Sequence, residues 1–318
     1  MATPPSKTQT FWRRLGSTIG LWAIVLLGLF APNEAVANTA FLGVICILGS
    51  IGYFEFSKMV TPPGSVPILW SAILAGIAFV LWEASFHQAP PVSQSVVRTV
   101  TVEAPDGTTT REEETTVSST ESLHTSLIPA LLVLWLGTLK LRSGGKVKLA
   151  SLASTLFGWF YVYWLLQFLV KIYYFPDISG QWLLLYFILV TKFSDLGAYV
   201  VGSLFGKHKM APTISPGKTW EGFAGALLIP TLISLATIYG SGSTLEPLRG
   251  FHGIFLGVLL GACAVVGDLC ESLIKREAGA KDSGNLFPGI GGSLDLLDSL
   301  LFNAPIFYLY CRFALNAH

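Results

Sequence analysis

Acidic and basic side chains gather near the carboxyl-terminal end of the chain, at the ends of two long apolar stretches. The first group has the i, i+3, i+4, i+7 spacing of a single helix face, and its members are Asp268, Glu271, Ser272 and Lys275. Asp295 and Asp298 lie three residues apart at the start of the following stretch, so they also share a face. Carboxylate oxygens bind hard cations such as Mg²⁺, which keep phosphates and water as further ligands. The pattern therefore indicates a site for a divalent cation and phosphate groups.

A glycine-rich turn over residues 288–292 separates these two groups. Glycine lets backbone amides approach an anion closely, so Gly291 and Gly292 are candidate phosphate-binding residues. The alternative is a solvated loop whose acids pair with the neighbouring basic residues Lys275, Arg276 and Lys281. Asp268 and Asp295 argue against that alternative, because both border long apolar runs.

Another polar region covers residues 194–222. It begins with Asp195 inside an apolar stretch, and its basic residues include Lys207, Lys209 and Lys218. Ser215 followed by Pro216 predicts a helix N-cap with proline in the first turn. A helix start with free amide groups beside lysines suits a polyphosphate, whereas the alternative is an ordinary capped helix in a basic loop. Spacing alone leaves both interpretations open.

The composition places these groups in a membrane protein. Of the 318 residues, 52% are hydrophobic and 12% are charged, and the mean hydropathy is +0.61. A soluble domain carries about 25% charged residues, so the composition excludes a disordered chain and argues against a soluble enzyme. The net charge of +1 provides no field for nucleic-acid binding. The sequence contains no HExxH, GxSxG, Walker or CxxC motif, which leaves zinc sites and serine hydrolases without support.

We predict an all-α, polytopic membrane protein with nine spanning helices, since each span needs about 20 mostly apolar residues. The predicted spans are residues 16–32, 38–56, 66–86, 126–141, 149–171, 181–203, 222–240, 251–270 and 296–315. When these spans alternate, most lysines and arginines fall on one side, which predicts a cytoplasmic amino terminus and an outer carboxyl terminus. Ionisable residues within spans usually face a cavity or the bundle interior. In this sequence the predicted spans contain five such residues of interest, which are Glu55, Glu83, Lys192, Asp195 and Asp268.

One segment, residues 88–125, is polar and rich in Thr, Ser and Glu. A β-branched run at 96–102 precedes a Pro-Asp-Gly turn signal at 105–107. This pattern fits a small β-hairpin on the outer face and an irregular loop about equally well. We therefore divide the chain into amino-terminal spans, this extracytoplasmic insertion, middle spans and a carboxyl-terminal catalytic region. The predicted bounds are 1–87, 88–125, 126–180 and 181–318.

The carboxyl-terminal part of the sequence resembles the CDP-diacylglycerol synthases, also called phosphatidate cytidylyltransferases. The signature of that family reads approximately S-x-x-K-R-x4-K-D, followed after a short spacer by P-G-H-G-G-x-x-D-R-x-D. The matching residues are Ser272, Lys275, Arg276, Lys281, Asp282, Pro288, Gly289, Gly291, Gly292, Asp295 and Asp298. Blocks at 195–199 and 215–222 also resemble the family, so the likeness covers roughly residues 190–310. Ile290 replaces the signature histidine and Leu296 the arginine, which indicates a divergent subgroup.

The resemblance implies an enzyme of phospholipid synthesis that transfers a cytidylyl group from CTP to phosphatidic acid or a similar lipid phosphate. It implies Mg²⁺ as cofactor, with a second cation such as K⁺, and membrane lipids as partners. It also implies a homodimer in a bacterial-type cytoplasmic membrane, with the active site facing the cytoplasm.

On this resemblance we assign Asp268 and Asp295 as the principal metal ligands, with Glu271 and Asp298 as supporting groups. The expected catalytic residues are Asp268, Asp295, Asp298, Lys275 and Lys281. The expected substrate-binding residues are Ser215, Lys218, Glu221, Arg276, Asp282, Gly291, Gly292 and Asp195.

Three other functions fit parts of the sequence. A transporter explains the spans and the intramembrane Asp195, but not the clustering of acids, lysines and glycines on one face. A polyprenol or phytol kinase that uses CTP would transfer the γ-phosphoryl group and release CDP. An inactive member of the same family, which Ile290 and Leu296 would explain, predicts that no nucleotide binds.

Overall fold

A computed structural model describes residues 20, 22–23, 25–60, 66–88, 95–104, 107–116, 120–142, 144, 148–280, 282–284, 286 and 291–315. The chain divides into two compact units. One unit contains the residues up to Ala84 together with those from Leu149 onward, and the other is Ser85–Lys148. Every candidate site residue lies in the first unit.

The structure is mainly helical. Its α-helices are α1 (Glu34–Val60), α2 (Val66–Gln88), α3 (Thr120–Arg142), α4 (Leu149–Trp159), α5 (Leu165–Tyr173), α6 (Gly180–Phe205), α7 (Trp220–Gly240), α8 (Phe251–Glu277) and α9 (Ser293–Tyr310). Shorter π and 3-10 turns cover Phe160–Trp164, Glu246–Leu248 and Cys311–Leu315. The strands are β1 (Ser95–Ala104), β2 (Gly107–Thr116), β3 (Lys209–Ala211) and β4 (Ser215–Thr219), which form two separate two-stranded sheets.

Seven helical segments among the described residues are long and apolar enough to cross a membrane. They are Glu34–Val60, Leu69–Phe86, Leu149–Tyr173, Gly180–Phe205, Trp220–Gly240, Phe251–Glu277 and Ser293–Leu315. The predicted fold class is thereby confirmed, but the count of nine spans is not. Most of the predicted span 16–32 lies outside the described residues, and the predicted span 126–141 falls within α3, which is not among the seven.

The polar segment of the second unit forms a β-hairpin, which is one of the two structures that the sequence left open. Strands β1 and β2 pair antiparallel from Ser95 opposite Thr116 to Ala104 opposite Gly107. Residues 105–106, which carry most of the predicted turn signal, lie outside the described residues.

The predicted helix start at Ser215–Pro216 is wrong. These residues belong to strand β4, which pairs antiparallel with β3. Both strands of this small sheet are edges, where the missing N–H group of proline is tolerated. The helix begins instead at Trp220, and its cap is Thr219, whose Oγ1 accepts a hydrogen bond from the backbone N–H of Gly222 at 3.1 Å. The residue that caps this helix, Thr219, thus lies four positions after the predicted cap, Ser215.

Helices α6 and α7 approach each other closely because glycines face each other. A Cβ atom placed on Gly197 would lie 2.5 Å from the carbonyl oxygen of Gly225, and one on Gly225 would lie 2.5 Å from that of Gly197. The hydroxyl of Ser194, one helical turn earlier, donates to the carbonyls of Ala226 at 3.1 Å and Gly261 at 3.2 Å. Small residues thus join α6, α7 and α8, which is typical of helix packing within membranes.

We expect Gly225→Ala to separate α6 from α7 and to lower stability by about 1–3 kcal/mol, the cost of overpacking a filled interface. The measurement is thermal unfolding in detergent. Gly43→Ala is the matched control, because a Cβ atom at this helical glycine meets no atom within 4 Å. Equal melting temperatures for the two variants would contradict the close approach of these helices.

Candidate active site

Three carboxylates from the last two spans converge at one end of the bundle. Asp268 and Glu271 lie in the last turns of α8, and Asp298 lies in the second turn of α9. One oxygen from each residue lies within 4.8 Å of the other two. We refer to Asp268, Glu271 and Asp298 as the acidic triad. Gly267 lets the two helices approach here, because a Cβ atom on it would lie 2.7 Å from the Cβ of Phe302.

The acidic triad is suited to a divalent cation. The side chain of Glu271 is 1% exposed, and its Oε1 has no hydrogen-bond partner among the described residues. A buried carboxylate oxygen without a partner costs free energy, so a cation that binds this oxygen would stabilise the arrangement. Three carboxylate groups are the type of ligand that hard cations prefer. The residues present therefore fit a bound metal ion.

Asp295, which we expected to be a principal metal ligand, occupies a different position from the acidic triad. Its carboxylate accepts hydrogen bonds from the backbone N–H groups of Gly292 at 2.8 Å and Ser283 at 3.1 Å. It also accepts one from Lys275 Nζ at 2.9 Å. Asp295 thus holds the loop that precedes α9, and Asp298 takes the place beside Asp268. A metal-binding role for Asp295 stays a prediction.

Two lysines neutralise the acids of this region. Lys275, one helical turn after Glu271, donates to Glu271 Oε2 at 2.8 Å and to Asp295 at 2.9 Å. Lys218 reaches from β4 to Asp268 Oδ2 at 2.7 Å and donates to the carbonyl of Val265 at 3.1 Å. The short β3–β4 hairpin therefore places one of the predicted substrate-binding lysines directly beside the acidic triad.

Asp195 and Lys192 form a polar group in the middle of α6. Lys192 Nζ donates to the hydroxyl of Ser299 at 2.9 Å, and that hydroxyl donates to Asp195 Oδ2 at 3.1 Å. Lys192 Nζ also lies 3.6 Å from Asp195 and 3.7 Å from Asp298. Asp195, which we predicted to bind substrate, is thereby connected through two side chains to the acidic triad.

The other predicted site residues lie around the triad rather than in it. Glu221 accepts hydrogen bonds from the backbone N–H groups of Lys207 and His208 and contacts the His208 ring at 2.6 Å, so it fixes the loop before β3. Arg276 is exposed, with its Nε 3.4 Å from the carbonyl of Ile214, and Asp282 is also exposed. Lys281 lies outside the described residues, as do Pro288, Gly289 and Ile290. Roles for these side chains in substrate binding stay predictions.

Sequence reasoning marked Glu55 as an unusual buried charge but gave it no role in the site. This residue of α1 is 7% exposed and accepts hydrogen bonds from the backbone N–H of Leu294 at 2.9 Å and from the Ser283 hydroxyl at 3.4 Å. Its carboxylate fills the space beside Gly284 and Gly292, where an added Cβ atom would collide with it. Its position inside an apolar run was the only signal, because its partners are more than 220 positions away along the chain.

An apolar cavity of about 510 Å³ ends at this polar region. It is lined by residues of the segment 22–29 and of α1, α5, α6 and α9, including Phe41, Leu184 and Leu300. Its polar lining residues are Lys192, Asp195 and Asp295. Leu296, which stands where the family signature has arginine, lines the same cavity. The volume falls within the range of about 300–1,000 Å³ that is typical of small-molecule sites.

A model of the cytidylyltransferase family matches residues 12–314 of this chain. The chain belongs to this family. The phosphatidate cytidylyltransferase of Haemophilus influenzae is 45% identical over 137 residues, which are 43% of this chain and 48% of the relative. The phosphatidate cytidylyltransferase of Staphylococcus aureus is 42% identical over 130 residues, which are 40% and 48% of the two chains.

A further relative is the uncharacterized protein YnbB of Escherichia coli. It is 36% identical over 168 residues, which are 52% of this chain and 55% of that protein. The chain thus spans about half the length of the curated relatives it matches. Membership of the cytidylyltransferase family agrees with a site built from carboxylates and lysines, which are the groups that bind cations and phosphates.

We expect Asp298→Asn to weaken the binding of a divalent cation by at least about tenfold, because it removes one charged ligand of the acidic triad. Mn²⁺ titration followed by electron paramagnetic resonance measures this affinity directly. The control is Glu277→Gln, which removes an exposed carboxylate from the end of α8, outside the triad. Unchanged Mn²⁺ affinity in Asp298→Asn would contradict the assignment of the triad as a metal site.

Removal of the Glu55 carboxylate tests the contact between α1 and the loop before α9. In Glu55→Ala the backbone N–H of Leu294 loses its acceptor, which we expect to cost about 1–3 kcal/mol of stability. Glu34→Ala, at the exposed first turn of the same helix, is the control. Thermal unfolding of the two variants gives the comparison, and equal stability would show that the buried contact contributes nothing.

Proposed function

We propose that this protein transfers the cytidylyl group of CTP to phosphatidic acid or a similar lipid phosphate, forming CDP-diacylglycerol and pyrophosphate. The observation that carries the proposal is the convergence of Asp268, Glu271 and Asp298 at the ends of two membrane spans. Membership of the cytidylyltransferase family supports it, as do the relatives named phosphatidate cytidylyltransferase. The adjoining apolar cavity would accept the hydrocarbon part of a lipid.

The reaction makes limited demands on the protein. An oxygen of the lipid phosphate forms a bond to the α-phosphorus of CTP, and the bond from that phosphorus to the pyrophosphate oxygen breaks. The attacking oxygen is already anionic near neutral pH, so no strong base is needed. The main obstacles are the repulsion between two anionic substrates and their alignment, which positioning and charge neutralisation overcome.

The residues of the site match those demands. The acidic triad would hold Mg²⁺, which when bound neutralises phosphate charge. Lys218 and Lys275 each contact an acid of the triad directly, so their charges lie where an anionic triphosphate would bind. Asp295 and Glu55 keep the loop before α9 in place through backbone hydrogen bonds. Arg276 and Lys281 are further candidates for contacts with CTP phosphates.

The position of the site suits both substrates. Helices α6 and α8 end on the side of the site where α7 and α9 begin, and the β3–β4 hairpin with its exposed Lys207 and Lys209 lies on the same side. We infer from the positive-inside rule that this side faces the cytoplasm, which supplies CTP. Insertion in a bacterial-type cytoplasmic membrane, a homodimer and a second cation such as K⁺ remain parts of the proposal that rest on the resemblance.

The decisive experiment mixes pure protein with CTP, Mg²⁺ and phosphatidic acid and identifies the products. We expect CDP-diacylglycerol and pyrophosphate in equal amounts, and a rate about 100-fold lower for Asp298→Asn, as is typical when a group that stabilises transition-state charge is removed. Release of CDP with phosphorylation of a polyprenol or phytol would instead indicate a kinase. No product together with no CTP binding would indicate an inactive member of the family, and both outcomes would overturn the proposal.

A further inference from the structure

Lys192 combines two features that no other lysine of the described site has. It lies in the middle of the membrane span α6, where an ionisable side chain is expensive to maintain and usually has a function. It also lines the apolar cavity, and it is the only cationic side chain among the described residues that do so. Lys192 therefore stands at the boundary between the cavity and the acidic triad.

The hydrogen bonds of Lys192 leave donors available. An ammonium group has three N–H donors, and a hydrogen bond requires a distance shorter than about 3.6 Å. Among the described residues, Lys218 and Lys275 each make two contacts within that distance, whereas Lys192 makes one, to Ser299 at 2.9 Å. Its distances to Asp195 and Asp298 are 3.6 and 3.7 Å, which is close enough for attraction but too long for hydrogen bonds. The Lys192 side chain is 21% exposed, so a ligand can reach it.

The surroundings of Lys192 define the ligand chemistry. A molecule that fills this cavity needs an apolar chain, because Phe41, Val44 and Leu300 are typical of the lining. At the polar end it meets Lys192 together with Asp195 and Asp295, of which Asp295 is already paired with Lys275. An anionic head group would gain from Lys192 and would lie next to Asp298 of the acidic triad. A lipid phosphate has this combination of an apolar chain and an anionic head.

We propose that Lys192 binds the phosphate of the lipid acceptor, whose hydrocarbon chain occupies the cavity, and places that phosphate beside Asp298. The inference rests on the proposed function, since it names the residue that receives the second substrate. It gives Lys192 a role separate from those of the other two lysines. Lys218 is paired with Asp268, and Lys275 is paired with Glu271 and Asp295. A purely structural Lys192, which only balances the charges of Asp195 and Asp298, is the competing explanation.

Direct binding of lipid separates these explanations and does not depend on turnover. Phosphatidic acid in detergent micelles is titrated against pure protein in the absence of CTP, with diacylglycerol as the uncharged comparison. We expect Lys192→Met to weaken phosphatidic acid binding at least about tenfold, the loss that corresponds to one charge-assisted hydrogen bond, and Lys192→Arg to restore most of it. Binding of diacylglycerol should not change. Equal affinity of the wild-type protein and Lys192→Met for phosphatidic acid would overturn the inference.

The matched control is Lys171→Met, which removes another partly buried lysine from a membrane span. Lys171 lies 3.3 Å from Glu83 and does not line the cavity. We expect this variant to bind phosphatidic acid as the wild-type protein does. A similar loss in both lysine variants would show a general effect of removing a charge from the membrane region and would count against a specific site.

The cavity has its own test. In Ala40→Phe a ring projects into the apolar part of the cavity, so long-chain phosphatidic acid should bind more weakly while a short-chain form is affected less. Ala35→Phe is the control, because Ala35 is exposed on the same helix and does not line the cavity. Equal binding of long and short chains to Ala40→Phe would place the hydrocarbon chain elsewhere.

Where turnover is measurable, the same variants give a second readout. Lys192→Met should raise the KM for phosphatidic acid at least about tenfold and leave the KM for CTP within about twofold, because only one substrate loses a contact. A structural role would instead lower kcat with both KM values unchanged, and that result would refute the assignment. Absence of any CDP-lipid would refute the proposed function, while the binding titration would still decide on Lys192.

Discussion

The arrangement of this protein depends on how several carboxylates are held together at the end of a membrane bundle. Asp268, Glu271 and Asp298 would repel one another in an environment of low dielectric constant unless cations lie among them. Lys218 and Lys275 supply part of that compensation from a β-hairpin and from α8 itself. The unpaired oxygen of buried Glu271 shows where the compensation is incomplete, and this is the position that a divalent cation would complete.

The same constraint explains the structure that surrounds the site. Charged side chains can be fixed within such a short distance only if the backbones that carry them approach closely and do not move. Gly197 and Gly225 bring α6 and α7 together, and Gly267 does the same for α8 and α9. Glu55 of α1 accepts hydrogen bonds from Leu294 and Ser283 and so ties the start of α9 and the preceding loop to α1. Both the apolar packing and the polar contacts thus hold the three carboxylates of the acidic triad close together.

The site lies between two environments, as the proposed substrates require. Its hydrophilic side lies at the helix ends beside the β3–β4 hairpin, and its other side opens into an apolar cavity between α1, α6 and α9. A reaction between a water-soluble nucleotide and a lipid phosphate needs such a boundary. Lys192 lies at this boundary, and Leu296, which stands at the arginine position of the signature, adds to the apolar lining beside it. Among the described residues that line the cavity, positive charge thus comes from Lys192 of α6.

The sequence by itself determined the membrane-spanning fold class and the candidate acids, because apolar length and helix spacing are local properties. It left a β-hairpin and an irregular loop equally open for the polar segment, and the structure has the hairpin. It placed Asp268 and Glu271 on one face of a helix correctly, since i, i+3 neighbours follow from the helix period alone. Only the tertiary structure decided that Asp298 rather than Asp295 completes the triad, because that choice depends on the angle at which α9 meets α8. Only the tertiary structure could likewise turn Ser215 into a strand residue paired with Ala211 and bring Glu55 to Leu294. Glu55 and Leu294 are distant in the chain, so no local pattern could predict their contact. Ser215 could equally well have capped a helix, so local sequence could not decide that it would pair in a strand.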